Sequence, residues 1–281
     1  MSKVSKQKIA VVTGAGGTLC SEMARALAGQ GIKVALLGRD LKKLKLVEEQ
    51  IKDSGGNALS VSTDVANVEA VENARNIIEK EFGFCNILIN GAGGNQAQAV
   101  ATINQFDAKE LEEPEEGFRG FFNLDVPLFK NVIEVNTMGT VIPCKIFGKD
   151  MAANGGGNII NIASLNSYRP LTRVAAYAMA KAGIANFTQW LAFYLAPANI
   201  RVNAIAPGFF LNDRSRTIMY NEDGTYTSRA QSVMAHTPMK RFGEAPELIG
   251  CMNWLINDEA AGFVTGTTIP IDGGFLSSAG V

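Results

Sequence analysis

Tyr177 and Lys181 are the two residues of this chain whose types and spacing are best suited to proton transfer. They stand four residues apart in Tyr-Ala-Met-Ala-Lys, so a helix would place both side chains on one face. An ammonium held near a phenol lowers the phenol's pKa from about 10 towards neutrality, and such a phenol exchanges a proton with a carbonyl or hydroxyl oxygen. The spacing alone leaves open an ordinary helical tyrosine beside a lysine that reaches into solvent.

Ser164 supplies a second hydroxyl, thirteen residues before Tyr177. It follows the apolar run 158–163, which is typical of a buried strand. The carboxyl end of a strand that faces a helix is where an α/β sheet positions its reacting groups. We therefore expect a site at the end of this strand.

Strand-like and helix-like runs alternate along the chain, which predicts a parallel sheet. Apolar strand patterns cover 8–13, 33–37, 58–63, 87–90, 159–163, 202–205 and 268–271, and helical patterns include a helix ending near 30, then 40–54, 68–82, 175–195 and 245–257. The fold expected is an α/β, single-domain, Rossmann-like doubly wound parallel sheet of about seven strands with helices on both faces. Residues 1–281 would form one dinucleotide-binding catalytic domain, interrupted by an inserted loop at about 94–131 and a substrate lid at about 207–238.

The composition excludes several classes of protein. A chain of 281 residues with 47% apolar content and a net charge of −1 has no basic excess for nucleic-acid binding. No apolar run approaches the roughly 18 residues of a membrane span, and the basic N-terminus has no signal-peptide cleavage site. The four cysteines (20, 85, 144 and 251) lie far apart without a Cys-x-x-Cys pair, which predicts neither zinc nor disulfides. We expect a cytoplasmic protein with no metal, no nucleic-acid partner and no membrane partner.

A glycine-rich turn follows the first strand and opens a helix. Glycine lets the backbone approach a pyrophosphate, whose charge the helix N-terminus stabilises. Thr18 and Cys20 stand where further glycines are common, so the strict spacing is not kept. The residues expected to contact the pyrophosphate are Gly14, Gly16, Gly17, Thr18 and Leu19.

The end of the second strand bears on the choice of cofactor. NAD-binding strands of this kind end in an acid that holds the ribose hydroxyls, but Gly38 has no side chain. Arg39 can pair with a 2′-phosphate, which slightly favours NADP(H) and leaves NAD(H) open. The alternative is a solvated Arg39 followed by Asp40 as a helix cap.

Two further strand ends complete the expected nucleotide site. Asp64 and Val65 follow the third strand, where a short carboxylate reaches an adenine amino group. The fourth strand ends in Asn90, Gly91, Ala92 and Gly93, where little side chain can be tolerated beside a cofactor.

With these motifs in place, the chain resembles the short-chain dehydrogenase/reductase family over nearly its full length. The matching motifs are Thr13-Gly14, Asp64-Val65, Asn90-Gly91-Ala92-Gly93, Asn136, Ser164, Tyr177-x-x-x-Lys181, Asn203, Pro207-Gly208, 264–266 and 272–274. The resemblance implies an NAD(P)-dependent enzyme acting on CH–OH and C=O groups. It implies that Tyr177 exchanges the proton, Lys181 lowers the pKa of Tyr177 and holds the nicotinamide ribose, and Ser164 orients the substrate oxygen. Asn136 would kink its helix and hold a proton-relaying water, and Pro207, Gly208 and Phe210 would contact the nicotinamide.

Within the family, the chain resembles the branch of D-mannonate oxidoreductases, also called fructuronate reductases. The likeness rests on 89–95, 186–192, 203–211, 221–224, 236–243 and the 94–131 insertion. It implies interconversion of D-fructuronate and D-mannonate. The alternatives are a reductase of another polyol, keto-sugar or 3-oxoacyl substrate and, outside catalysis, a cofactor-sensing protein.

A sugar acid requires a cation for its carboxylate and polar groups for its hydroxyls. Arg169 and Arg173, between Ser164 and Tyr177, are candidates for the carboxylate because arginine binds it bidentately. The candidates for the hydroxyls are Asn95, Asn166 and Asn212, and the single histidine, His236, is a weaker candidate for a substrate contact.

The helix expected at 175–195 is apolar nearly all round, more than one sheet face can cover. Together with the family resemblance, this pattern predicts a homotetramer.

Overall fold

Seven parallel strands form one sheet in the computed structural model, which describes residues 7–112 and 116–278, with only the backbone at 213 and 214. The strands are β1 (Ile9–Thr13), β2 (Lys33–Gly38), β3 (Ala58–Ser62), β4 (Ile87–Asn90), β5 (Gly157–Ile162), β6 (Ile200–Pro207) and β7 (Thr268–Ile271). Their order is β3-β2-β1-β4-β5-β6-β7. The strand order runs one way from β1 to β3 and the other way from β4 to β7, so it reverses between β1 and β4. In such sheets ligands bind at the carboxyl ends of the strands beside this point.

Eight α-helices within the described residues cover the sheet and its carboxyl edge. They are α1 (Thr18–Gly29), α2 (Leu41–Asp53), α3 (Val68–Glu81), α4 (Val126–Ala153), α5 (Ala175–Leu195), α6 (Asp213–Met219), α7 (Ser228–His236) and α8 (Ile249–Ile256). Side chains of α1, α2 and α8 share one apolar core with the sheet, and those of α3, α4 and α5 share a second core on its other face. The predicted doubly wound parallel sheet is confirmed, and burial from both sides explains the nearly continuous apolar strands.

Two segments are more regular than the sequence analysis expects. Residues 207–238 contain α6 and α7, each begun by a side chain that caps its first turn. Asn212 accepts from the Ser215 amide at 2.9 Å, and Thr227 accepts from the Ala230 amide at 3.2 Å. Short helices held by such caps leave little periodicity in the sequence, which is why a pattern search misses them.

The segment 94–131 is shorter as a loop than expected, because α4 begins at Val126, where Asp125 accepts from the Leu128 amide at 2.8 Å. Two 3₁₀ turns, Ala97–Ala99 and Ala108–Leu111, order part of the remainder, and residues 113–115 lie outside the described part. Within residues 7–112 and 116–278, no helix combines the length and the apolar character that crossing a membrane requires.

Candidate active site

Tyr177 and Lys181 lie one turn apart on α5, as their spacing predicts. Lys181 is 4% exposed, and its Nζ lies 5.5 Å from the centroid of the Tyr177 ring. The same Nζ donates to the carbonyl of Ile162, the last residue of β5, at 2.7 Å. This bond fixes the ammonium at the carboxyl end of the sheet and leaves its other two protons available.

Ser164 lies directly beyond β5, where hydrogen bonding with its side chain opposes a rise in the pKa of Tyr177. Its Oγ also accepts from the backbone amide of Asn166 at 3.2 Å and from the Asn166 Nδ2 at 3.3 Å. Because both bonds are accepted by oxygen, the Ser164 proton stays available for the phenol or for a substrate oxygen.

Burial governs the electrostatics of this cluster. It raises the pKa of Tyr177 above its ordinary value, and the hydrogen bond with Ser164 offsets only part of that rise. Burial also lowers the pKa of Lys181 to about 8. Burial is thus the larger influence on Tyr177, and the expected lowering of its pKa by Lys181 stays a prediction.

Asn136, on α4, is fully buried and faces the turn that follows β4. Its amide makes two hydrogen bonds with Gly94, through Oδ1 at 3.1 Å and Nδ2 at 2.7 Å. Its backbone carbonyl accepts from Thr140 Oγ1 at 3.1 Å. The side chain therefore holds the loop beside Lys181, and the expected water relay stays a prediction.

The turns after β1 and β4 leave a narrow cradle for a nucleotide. Gly14 has φ +67°, and a Cβ there would lie 2.8 Å from the Gly91 carbonyl oxygen. A Cβ on Gly93 would lie 2.4 Å from Asn136 Oδ1. Only glycine fits at either position, so the backbone is open to a ligand.

The N-terminus of α1 suits a pyrophosphate. Among the described residues no side chain caps this helix at Gly17, and its first turn holds no acid. Gly17 and Thr18 are exposed, Gly16 is half-buried, and Leu19 packs on the core. Free amides and the helix dipole favour a bound anion here, so the residues fit a dinucleotide.

The adenosine end carries positive charge. Arg39 is exposed directly after β2, and Asp40 caps α2 by accepting from the amides of Lys42 and Lys43 at 3.1 and 3.2 Å. The alternative that Asp40 is a cap is thus confirmed, and Arg39 remains free to face a nucleotide. Asp64 is exposed after β3 and accepts from the Ala66 amide at 3.0 Å.

Three further residues predicted to contact the cofactor are held by neighbouring elements. Val65 is buried against α4, where a Cβ on Gly139 would lie 2.9 Å from its Cγ2. Asn90 is buried in β4 and donates to Asn161 Oδ1 at 2.9 Å. Ala92 donates its amide to Thr13 Oγ1 at 3.1 Å.

The residues predicted to contact the nicotinamide lie at the end of β6 and directly after it. Pro207 ends β6, and Gly208 donates to the Ile271 carbonyl at 2.9 Å, so close to Asp272 that a Cβ would lie 2.7 Å from its Cα. Phe210 pairs with Gly243, whose missing side chain makes room for the ring. Phe210 therefore packs into the protein, while Phe209 faces Phe275 with ring centroids 5.3 Å apart.

A cavity of about 470 Å³ opens between the residues after Ser164 and the helix α7. Arg169, Arg173 and His236 all line it, so three predicted substrate residues meet there. Its volume falls in the range of small-molecule sites. Leu171 connects the cavity to the reacting groups, since its amide donates to Asn166 Oδ1 at 3.0 Å and Asn166 holds Ser164.

The three predicted amide residues lie outside the lining of this cavity. Asn166 is buried, with its amide bound to Ser164 and Leu171. Asn95 accepts from the Gln96 amide at 3.0 Å, and Asn212 caps α6. Asn166 and Asn212 therefore have protein partners where substrate hydroxyls were expected.

Comparison with known proteins decides the family. The family model for short chain dehydrogenases matches residues 8–223, well over half of the chain. The chain belongs to the short-chain dehydrogenase/reductase family. The predicted family resemblance is confirmed, and with it the expectation of an oxidoreductase that uses a nicotinamide cofactor.

Three similar proteins are informative. An uncharacterized oxidoreductase of Bacillus subtilis (strain 168), UxuB, is 44% identical over 98% of this chain and 96% of its own. A solved structure from Haemophilus influenzae, provisionally called a D-mannonate oxidoreductase, contains bound NAD; it is 42% identical over 98% of this chain and 96% of its own, with a TM-score of 0.92. L-sorbose reductase from Gluconobacter frateurii, solved with NADPH and L-sorbose, is 27% identical over 97% of each chain, with a TM-score of 0.82.

The structure of this short-chain dehydrogenase/reductase adds residues that the sequence analysis misses. Arg229, on α7, lines the same cavity as Arg173, and Asn104 accepts from Arg173 Nε at 2.6 Å. Lys43 lies beside the glycine-rich turn after β1, with its Cβ 3.0 Å from the position that a Cβ on Gly16 would occupy. Arg229 follows a polar turn and resembles any surface arginine, so only tertiary packing shows its place.

Proposed function

We propose that this short-chain dehydrogenase/reductase interconverts D-fructuronate and D-mannonate with NAD(H) or NADP(H). The observation that carries the proposal is the cavity beyond Ser164, which Arg169, Arg173 and Arg229 line and whose described lining includes no carboxylate. A cleft of one sign of charge concentrates a ligand of the other sign. An anionic substrate with a reducible carbonyl is what this arrangement favours.

The proposed chemistry uses three side chains at the carboxyl end of β5. Tyr177 donates its phenolic proton to the substrate oxygen during reduction and accepts it back during oxidation. Ser164 donates a hydrogen bond to that oxygen and so stabilises the charge that develops on it. Lys181, held by the Ile162 carbonyl, supplies the positive charge and a path for proton replacement. The bound cofactor supplies or accepts the hydride.

The choice between NAD(H) and NADP(H) depends on the residues at the carboxyl end of β2. The exposed Arg39 after β2 supports binding of a 2′-phosphate, which slightly favours NADP(H). The NAD in the Haemophilus influenzae structure supports NAD(H). We propose that both cofactors are accepted and that Arg39 gives NADP(H) its advantage.

The alternatives make different demands on the cavity. A 3-oxoacyl reductase is best served by an apolar pocket, and three arginines are a poor lining for an acyl chain. A cofactor sensor has no physical need for Ser164, Tyr177 and Lys181 together. The similarity to L-sorbose reductase keeps a neutral keto-sugar as the second candidate.

The proposal includes a homotetramer. The outer face of α5 exposes Met179, Trp190, Phe193 and Tyr194, with Phe193 85% exposed. The Trp190 and Tyr194 rings stack 5.2 Å apart, forming one continuous aromatic surface. Large apolar patches of this kind mark interfaces between subunits. A monomer by light scattering at micromolar concentration would contradict this assignment.

The test of function is a substrate panel. Purified protein with NADH or NADPH would be offered D-fructuronate, D-fructose and a 3-oxoacyl thioester, with products identified by NMR. We expect the highest kcat/KM for D-fructuronate and D-mannonate as its product. Preference for D-fructose or for the thioester would replace the sugar-acid assignment with the corresponding alternative.

A further inference from the structure

We propose that Arg173 and Arg229 together bind the carboxylate of the substrate and thereby select sugar acids over neutral sugars. This assignment rests on the proposed function and deepens it, because it names the residues that determine specificity. Arg229 belongs to α7, and Arg173 belongs to the loop just before α5. The two are brought together by the fold across the cavity beyond Ser164.

Arg173 is held in an unusual conformation. Its φ is +73°, in the left-handed region that a residue with a Cβ rarely adopts. Its carbonyl accepts from the Ala101 amide at 2.9 Å, and its Nε donates to Asn104 Oδ1 at 2.6 Å. Such strain persists only where surrounding contacts impose it, and it is concentrated at functional sites.

These contacts leave one edge of the Arg173 guanidinium available. Nε is used by Asn104, while within the described residues neither Nη atom has a hydrogen-bond partner. An arginine anchored through Nε presents its two Nη groups in a fixed plane. That plane matches the two oxygens of a carboxylate.

Arg229 is a second cation at the same place. In the part of the chain that the structure describes, its guanidinium makes neither a hydrogen bond nor an ion pair. Partial burial and the positive charge of Arg173 lower the pKa of Arg229. The two guanidinium groups repel each other in a cavity whose described lining holds no carboxylate. An anion bound between them would remove this repulsion.

Arg169 lines the same cavity, but unlike Arg229 it already has a hydrogen-bond partner. Its Nη1 donates to the Ser278 carbonyl at 3.0 Å, so part of its hydrogen-bonding capacity is already used. Among the described residues, neither the Nη atoms of Arg173 nor the guanidinium of Arg229 has such a partner. We therefore place the carboxylate between Arg173 and Arg229.

The experiment compares Arg229→Gln and Arg173→Asn with wild type. Asparagine tolerates the left-handed conformation at 173, so the backbone need not change. Arg216→Gln is the matched control, since Arg216 is exposed on the neighbouring α6 and its loss changes the net charge equally. The readouts are KM and kcat for D-fructuronate, and the Kd of D-mannonate measured by calorimetry in the presence of reduced cofactor, with which D-mannonate cannot react.

We expect each cavity variant to raise the KM for D-fructuronate and the Kd of D-mannonate by about ten- to a hundredfold, with kcat little changed. Arg216→Gln should leave both within about twofold. Unchanged KM and Kd in the two cavity variants, or an equal loss in the control, would overturn the assignment. Circular dichroism and cofactor affinity establish that each variant is folded.

The same design separates this inference from the proposed function. Wild type that binds D-mannonate through Arg173 and Arg229 but oxidises no reduced cofactor with D-fructuronate would retain the carboxylate site and remove the activity. Wild type that neither turns over nor binds either sugar acid would remove both. D-fructose 6-phosphate bound more tightly than D-fructuronate, and dependent on Arg229, would overturn a carboxylate in favour of a phosphate.

Discussion

The side chain of Asn136 makes two hydrogen bonds with the backbone of Gly94. Its Oδ1 accepts from the Gly94 N–H at 3.1 Å, and its Nδ2 donates to the Gly94 carbonyl at 2.7 Å. The contact joins the middle of α4 to the loop after β4, at the point where a Cβ on Gly93 would collide with the same amide. A buried asparagine satisfied in this way fixes the loop that forms one wall of the cofactor cradle.

Replacing Asn136 by alanine should therefore loosen this wall. Three hydrogen bonds are lost, including one to the Val132 carbonyl, and we expect a loss of about 2–3 kcal/mol in the free energy of unfolding. Cofactor affinity should fall in parallel. Thr137→Ala is the control, because among the described residues the Thr137 hydroxyl bonds only to the Ile133 carbonyl of its own helix. Equal effects of the two substitutions on cofactor affinity would contradict a positioning role for Asn136.

Gly91 and Cys20 test the close packing of α1 against the turn after β4. A Cβ on Gly91 would lie 2.0 Å from Cys20 Sγ, so Gly91→Ala should cost about 1–3 kcal/mol of stability. Adding Cys20→Ala removes the colliding sulfur and should recover at least about 1 kcal/mol in a double-mutant cycle. Gly250→Ala is the control, since nothing lies within 4 Å of a Cβ there. Strictly additive effects at 91 and 20 would show that the clash is absent.

The buried Lys181 gives the ligand-free protein a pH-dependent stability. Its pKa falls from 10.5 to about 8 on folding, so between these values the unfolded chain binds more protons than the folded one. The free energy of unfolding of wild type, relative to that of Lys181→Met, should therefore rise by about 3 kcal/mol from pH 8 to 10.5. Ionisation of the cysteines in the unfolded chain affects both proteins equally and cancels.

Chemical denaturation of wild type and Lys181→Met at several pH values measures this difference. Lys149→Met, on the exposed side of α4, controls for loss of a positive charge elsewhere. A difference that stays flat across the window would mean that Lys181 is better solvated than its 4% exposure indicates.

Arg39 should separate the two nicotinamide cofactors. If it contacts a 2′-phosphate, Arg39→Gln should lower kcat/KM for NADPH about tenfold or more and change the value for NADH by less than about twofold. Steady-state rates with each cofactor at fixed substrate measure this. An equal fall with both cofactors would assign Arg39 to the adenine or to the fold.

Much of the fold was accessible from sequence because strands buried on both faces are continuously apolar. All seven strands begin and end within about three residues of their predicted positions. The helices α6 and α7 were missed, since their starts depend on caps by Asn212 and Thr227 and not on periodicity. Asn212 was predicted to meet substrate for the same reason that it caps: its side chain is a good acceptor.

The site was predicted from the residues directly where neighbours in sequence remain neighbours in space, and more distant members such as Asn136 came from the family resemblance. Tyr177 and Lys181 share a helix face, so their proximity followed from spacing. The pairing of Arg173 with Arg229 spans two distant segments, and the positive φ of Arg173 has no sequence signature. The direction of the pKa shift at Tyr177 also required the structure, because burial, its largest cause, is a tertiary property.

The central claim is that Tyr177 transfers the proton in reduction of a sugar acid. Its most direct test is the rate of loss of reduced-nicotinamide absorbance with saturating D-fructuronate, in wild type and in Tyr177→Phe. We expect steady oxidation by wild type and a fall of at least about a hundredfold in kcat in the variant, with cofactor binding retained. Undiminished oxidation by Tyr177→Phe would contradict the proton-transfer role, and no oxidation by wild type would contradict the substrate.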